Sequence, residues 1–132
     1  MASVFTKIIQ KEIPGYIIAE TEDCIAFLDV FPLALGHVLV VPKQEVDKLF
    51  DLDESVYLKL MAFSKEVATA LEKAVPCKRV GVAVIGLEVP HAHVHLIPLQ
   101  SVEDINFSRP KMQFSEQEMR EVQNKIIAEL NK

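Results

Sequence analysis

The chain has 132 residues, 50% of them hydrophobic and 25% charged, with a formal net charge of −5 at pH 7. This fits one globular domain over 1–132 with a proper core. It excludes a binder of nucleic acid polymer, which needs a basic stripe, but not a partner of small-nucleotide size, which needs only local dipoles and donors. No apolar run is long enough to span a membrane. Lys7, Lys11 and Glu12 interrupt the early apolar residues and so rule out a secretory leader. Cys24 and Cys77 form no CxxC pair and read as reduced thiols of a cytoplasmic protein.

Ser3 can cap a short helix running to about residue 12, with Phe5, Ile8 and Ile9 as its apolar stripe and Pro14-Gly15 as its stop. Residues 16–20 and 24–28 read as two strands joined by the polar turn 21–23 in a hairpin. A loop over 29–36 leads to 37–41, a strand so uniformly apolar that it belongs at the centre of a sheet. From Asp53 or Ser55 onward, Leu52, Val56, Leu60, Met61, Val67 and Leu71 recur at helical spacing, and Pro76 follows the end of that helix. Residues 79–85 form another strand, with a tight connection over 86–90. Residues 106–110 form an irregular crossing segment, and Ser115 with Glu118 makes a capping box for a last helix faced by Met119, Val122, Ile126 and Leu130. About five strands in hairpin-like order, with helices between them, define an α+β domain with a largely antiparallel sheet, a long central helix and a C-terminal helix.

Three of the four histidines stand at every second position in His91-Ala92-His93-Val94-His95-Leu96-Ile97, a run followed by Pro98. On a strand of period two, the imidazoles share one face while Ala92, Val94 and Leu96 enter a core. Buried imidazoles need hydrogen-bond partners, so an accidental polar face is the weakest reading. Two chemistries remain open on these residues alone. His-x-His on a strand can present two nitrogens to zinc, or one histidine can act as a nucleophile oriented by its neighbours.

The run 91–97 resembles the signature of the histidine triad (HIT) nucleotide hydrolases and transferases, His-φ-His-φ-His-φ-φ with φ apolar. Further blocks follow that family's order: Phe5 to Pro14 is similar to its opening helix, Ala26 to Val30 to its second strand, and Gly36 to Lys43 to the strand carrying its fourth histidine. The resemblance implies a HIT-like fold over residues up to about 99, with a helical extension over about 101–132. It also implies a homodimer, a purine nucleotide as small-molecule substrate, no cofactor and no catalytic metal. His93 would attack the α-phosphorus of a phosphoramidate or phosphoanhydride and release the nucleoside monophosphate, often AMP in that family, through a nucleotidyl-histidine. The His91 carbonyl would accept from His93 Nδ1, His95 would contact the phosphoryl oxygens or leaving group, and His37 would complete the cluster. Val4, Phe5, Ile8 and Val30 match nucleoside-pocket positions and Asp29 the ribose-binding carboxylate. Without the triad, Val4, Phe5 and Ile8 would read as ordinary core and Asp29 as a turn residue.

The loop before the triad departs from the family. Leu87 stands where glutamine is usual and Glu88 where serine or threonine is usual, which removes neutral donors from the phosphate and adds a carboxylate. Lys43 and Arg109 are the basic residues to consider as replacements. Ser3 and Thr6 occupy the positions of a Cys-x-x-Cys that binds structural zinc in some members, so no zinc of that kind is expected. The loop change motivates a rival reading as a nucleotide binder with little turnover. A metal-dependent hydrolase using His91, His93 and His95 is the lesser rival.

Overall fold

The computed structural model describes residues 3–132, so the first two residues of the expected domain lie outside the described residues. Five strands form one antiparallel sheet: β1 Ile17–Glu20, β2 Cys24–Leu28, β3 Val38–Pro42, β4 Arg79–Ala83 and β5 Val94–Leu99. Their spatial order is β1-β2-β3-β5-β4, with β3 in the centre as its unbroken apolar composition requires. Helix α1 is Val4–Ile9, α2 is Glu54–Ala74 and α3 is Glu116–Leu130. The sheet is therefore the five-stranded α+β architecture expected from the strand pattern.

The alternation of side chains divides the sheet into two faces. Ala26, Leu28, Val38, Val40, Val94 and Leu96 pack against Leu60, Phe63, Val67 and Leu71 of α2 and against Met119, Val122 and Ile126 of α3. The opposite face carries Ile25, Phe27, Leu39 and Val41, and Phe5 of α1 packs onto it. Leu39 is in register with both Phe27 on β2 and His95 on β5, so one row of side chains leads from the apolar patch to the histidines. α3 is tied down by its Ser115–Glu118 capping box and by Gln123, whose amide donates to the Ile17 carbonyl at 2.8 Å.

Among the boundaries that differ from the sequence reading, four have a local reason. α1 stops at Ile9 rather than near residue 12, because Lys11 takes the left-handed conformation (φ 62°) and turns the chain. β5 starts at Val94, so His91 and His93 precede the strand instead of lying on it. The amides there bond elsewhere, His91 N–H to the Val89 carbonyl at 2.8 Å and Ala92 N–H to the Val46 carbonyl at 2.7 Å. For the same reason β4 ends at Ala83, opposite His95, rather than at residue 85. Finally, Pro98 does not end β5: it sits opposite Val80 on β4, beyond the last β3 pair, Val38 with Leu96. Two short 3₁₀ turns, Leu49–Asp51 and Val102–Ile105, were not legible in the pattern. The second lies against Gly81 of β4, where a Cβ would come within 2.5 Å of Leu99 and 3.1 Å of Ile105.

Candidate active site

The histidines gather where β3 and β5 adjoin, on the sheet face that carries α1. His37, His91, His93 and His95 are all at most 8% exposed. Among the described residues no buried side-chain polar atom lacks a partner, as burial of so many imidazoles demands. The partners also fix each ring's proton, because a carbonyl can only accept and an amide can only donate.

His91 Nε2 lies 2.8 Å from the Pro42 carbonyl, so that nitrogen carries the hydrogen. His91 Nδ1 is then the acceptor for the Ser3 hydroxyl at 2.7 Å. Ser3 caps α1 by accepting from the Thr6 amide, and its own amide donates to Glu45 Oε1 at 2.7 Å. The Thr6 hydroxyl donates to the same carboxylate at 2.5 Å. At the positions where a metal-binding pair was weighed in the sequence, Ser3 and Thr6 thus tie α1, the segment after β3 and the triad together by hydrogen bonds. These donors to Glu45, the Ser3 amide first, hold its carboxyl below the usual glutamate value.

The His91 backbone carbonyl accepts from His93 Nδ1 at 2.7 Å, which leaves His93 Nε2 with a free lone pair. Burial pushes the His93 pKa below the ordinary value, so the ring is neutral at pH 7. His37 Nδ1 accepts from the Leu33 amide at 3.0 Å. Its Nε2 therefore bears the proton and donates to His95 Nδ1 at 2.9 Å. His95 in turn must carry its own proton on Nε2. Burial first, and the neighbouring charges second, push both His37 and His95 down to about 3. The rings of His93 and His95 are 4.8 Å apart. Side by side they present a bare nitrogen and an N–H.

His93 and His95 line a cavity of about 480 Å³, of the size of a small-molecule site. Val4, Phe5, Ile8, Asp29 and Val30 all line it too. His37 and His91 lie behind the lining rings, in contact through His95 and His93. Phe5 packs edge-on to His93 at 4.9 Å and to Phe27 at 5.5 Å. Asp29 keeps one carboxylate oxygen on the Phe31 amide at 2.9 Å, and the other is 3.7 Å from His37 Nε2. Burial raises the Asp29 pKa. A larger, open depression at the α2–α3 side is lined by Lys59, Lys65, Glu66 and Lys73 and contains no histidine.

The triad is not arranged as a metal tripod, since both ring nitrogens of His91 are already committed. Ligand atoms of Asp29, His37 and His95 do lie within 4.8 Å of one another. Within that group His37 and His95 are joined by the hydrogen bond that His37 Nε2–H donates to His95 Nδ1, which a cation would have to displace.

Neither basic residue weighed for the phosphate reaches the cavity. Lys43 pairs with Glu20 at 2.7 Å. Arg109 pairs with Asp104 at 3.5 Å and donates to the Glu103 carbonyl at 2.7 Å. Leu87 is 89% exposed, and Glu88 stands exposed at the cavity mouth. Phe107 and Lys111, which the sequence did not single out, line the cavity instead. Phe107 sets its edge on His95 at 4.8 Å, and Lys111 Nζ stands 5.0 Å from the centre of the Phe107 ring. The irregular reading of 106–110 was the one hint that this segment has a fixed course without being a helix or strand.

The HIT domain family model matches residues 10–102, and the chain belongs to the HIT family. The adenosine 5′-monophosphoramidase HNT1 of Saccharomyces cerevisiae is 37% identical over 98 residues, 74% of this chain and 62% of that protein. The adenosine 5′-monophosphoramidase hnt1 of Schizosaccharomyces pombe is 29% identical over 98% of this chain and 99% of its own. Among solved structures, a Hit-like protein from Bartonella henselae, described as involved in cell-cycle regulation, superposes with a TM-score of 0.85 at 30% identity, covering 96% of this chain and 95% of that one. The family match stops before α3, which packs with α2 on the sheet face opposite the histidines.

Proposed function

We propose that the protein is a nucleotidyl hydrolase or transferase that releases a nucleoside monophosphate, AMP above all, from a phosphoramidate or phosphoanhydride. The observation that carries this reading is the pair of neighbouring rings with opposite protonation, His93 with a bare Nε2 and His95 with an Nε2–H. His93 Nε2 donates its lone pair to the α-phosphorus, and the bond from phosphorus to the leaving group breaks. His95 aims its Nε2–H at the departing atom as a hydrogen-bond donor; a phosphate leaves as the anion, and an amine leaves on a nitrogen protonated from solvent. Water then attacks the phosphorus of the nucleotidyl-histidine, loses its proton to solvent, and frees the nucleotide and His93. Splitting one displacement in two is ordinary covalent catalysis, and fixed positions with preset protons supply much of the rate.

The nucleoside half of the substrate is assigned to Val4, Phe5, Ile8 and Val30 around the base, with Asp29 on the ribose hydroxyls. The yeast relatives' names support AMP as the released nucleotide. A homodimer is carried into this reading, because β4 is an edge strand whose Val82 and the following Val84 are exposed. Sedimentation showing a monomer at micromolar concentration would remove it. Both cysteines are free and no helix of the described residues is long and apolar enough to cross a membrane, which supports the cytoplasm as the working compartment.

The test is intact-protein mass spectrometry after rapid mixing with adenosine 5′-phosphoramidate, on wild type and His93→Ala. A transient gain of one AMP group in wild type alone is the expected result. The exposed Leu87 and Glu88 favour a second reading, a nucleotide binder with little turnover. Its mark is AMP binding without any mass gain. Activity lost to a chelator and regained with metal would replace both by the metal-dependent alternative.

A further inference from the structure

The cavity has a charge problem that its own residues define. A nucleotide brings negative phosphate, yet Asp29 and Glu88 both line the cavity. Like charges at short range in a partly dry site repel strongly. Among the described lining residues the one positively charged side chain is Lys111. It forms no ion pair among the described residues. Its ammonium is held over Phe107, with Nζ 5.0 Å from the ring centre and 3.4 Å from the Phe107 carbonyl. The segment itself is pinned where the Met112 amide donates to the Pro32 carbonyl at 2.8 Å.

Lys111 also has a side. Phe5 touches the rings of His91 and His93, whereas Phe107, which carries Lys111 over it, touches those of His37 and His95. The ammonium therefore belongs to the proton-donor half of the site, where the leaving group departs, and not to the nucleophile's half. Its field depresses the pKa of His37 and His95, and Lys111 is absent among the groups that act on His93.

We propose that Lys111 is the phosphate-binding cation of this site and that it directs the enzyme to substrates whose leaving group is itself an anion, a second phosphate above all. The inference rests on the nucleotidyl-transfer reading for its leaving-group sense. An amine leaving from a phosphoramidate departs neutral, on a nitrogen protonated from solvent. A leaving phosphate needs its negative charge matched, which an ammonium does directly.

Two measurements separate this from the reading beneath it. Calorimetric titrations with adenosine, AMP and ADP, made on a His93→Ala background so that nothing turns over, compare Lys111 with Lys111→Met and Lys111→Arg. Lys111→Met keeps the stem and should weaken ADP about tenfold, the scale of one charge-assisted hydrogen bond, with adenosine unchanged and Lys111→Arg close to the parent. ADP bound equally well by Lys111→Met, an equal loss for adenosine, or no ADP bound by the parent would overturn the proposal. With His93 intact, Lys111→Met should lower kcat/KM about tenfold for ADP and at most about twofold for the phosphoramidate. Equal losses on the two substrates would overturn the leaving-group assignment. Wild type that turns over neither substrate would instead overturn the enzymatic reading, and the titrations would still decide whether Lys111 binds phosphate.

Discussion

The two aromatic walls of the cavity are built on different principles. Phe5 is 6% exposed and belongs to a helix that is capped by Ser3 and packed on Ile25, Phe27, Leu39 and Val41 of the sheet. Phe107 is only half-buried and belongs to a segment without helix or strand, fixed by turns and by its bond partners on neighbouring loops. The first wall faces His93 and is part of the core. The second faces the proton donor and is laid over the finished core. On the proposed function, a site divided in this way keeps its nucleoside side constant while its leaving-group side changes, because changing the second wall disturbs little packing.

Four experiments break or sharpen that contrast. Replacing His93 by Ala should remove the covalent adduct and lower turnover by about a thousandfold or more, measured by single-turnover kinetics, because no other side chain near the cavity offers a bare nitrogen. Phe5→Ala should cost about 3–5 kcal/mol of stability in urea unfolding, the usual loss for a buried phenylalanine. Phe107→Ala should stay within about 1 kcal/mol while altering the ratio of rates on amine and phosphate leaving groups. Equal destabilisation by the two would dissolve the distinction between core wall and applied wall.

Ser3→Ala removes both the cap of α1 and the donor to His91, and about 1–2 kcal/mol should go with them. The His91 carbonyl would then hold His93 less firmly, so kcat should fall more than KM rises. Unchanged kinetics with lowered stability would limit Ser3 to capping. The gentlest effect is a slope with pH. His37 and His95 titrate near 3 in the fold, below the ordinary value of 6.5. The unfolded chain then binds more protons than the fold as pH drops through that window. The stability these rings contribute is complete above about 6.5 and is lost progressively toward 3. Asp29, raised by burial, opposes this weakly from the other side. Denaturant unfolding followed from neutral to mildly acidic pH should show stability declining, and a flat profile would contradict the neutral state assigned to the two rings.

Much of this molecule was legible before its structure. The apolar runs and helical spacings placed five strands and the two long helices, because burial on one face leaves a period in the sequence. The histidine alternation gave the buried side of Ala92, Val94 and Leu96, although two of the three rings lie ahead of the strand. What stayed hidden depended on contacts between distant segments. Nothing local in Glu45 announces that it will receive Ser3 and Thr6, some 40 positions earlier. Lys111 reads as one more charged residue in a polar stretch, and only the course of 106–112 across Pro32 and His95 turns it toward the cavity. Lys43 and Arg109, nearer in sequence to recognisable motifs, are occupied elsewhere by Glu20 and Asp104.

Gly81 lies on β4, on the far side of β5 from the apolar patch, and has no part in the chemistry. Yet the 3₁₀ turn Val102–Ile105 rests in the space its missing side chain leaves, and Phe107 follows that turn by two residues. A methyl group there would have to push Leu99 or Ile105 aside and would tilt everything hung from them. If the proposed leaving-group role of this wall holds, the choice between an amine and a phosphate can drift through a residue that lies outside the cavity, with the histidines untouched.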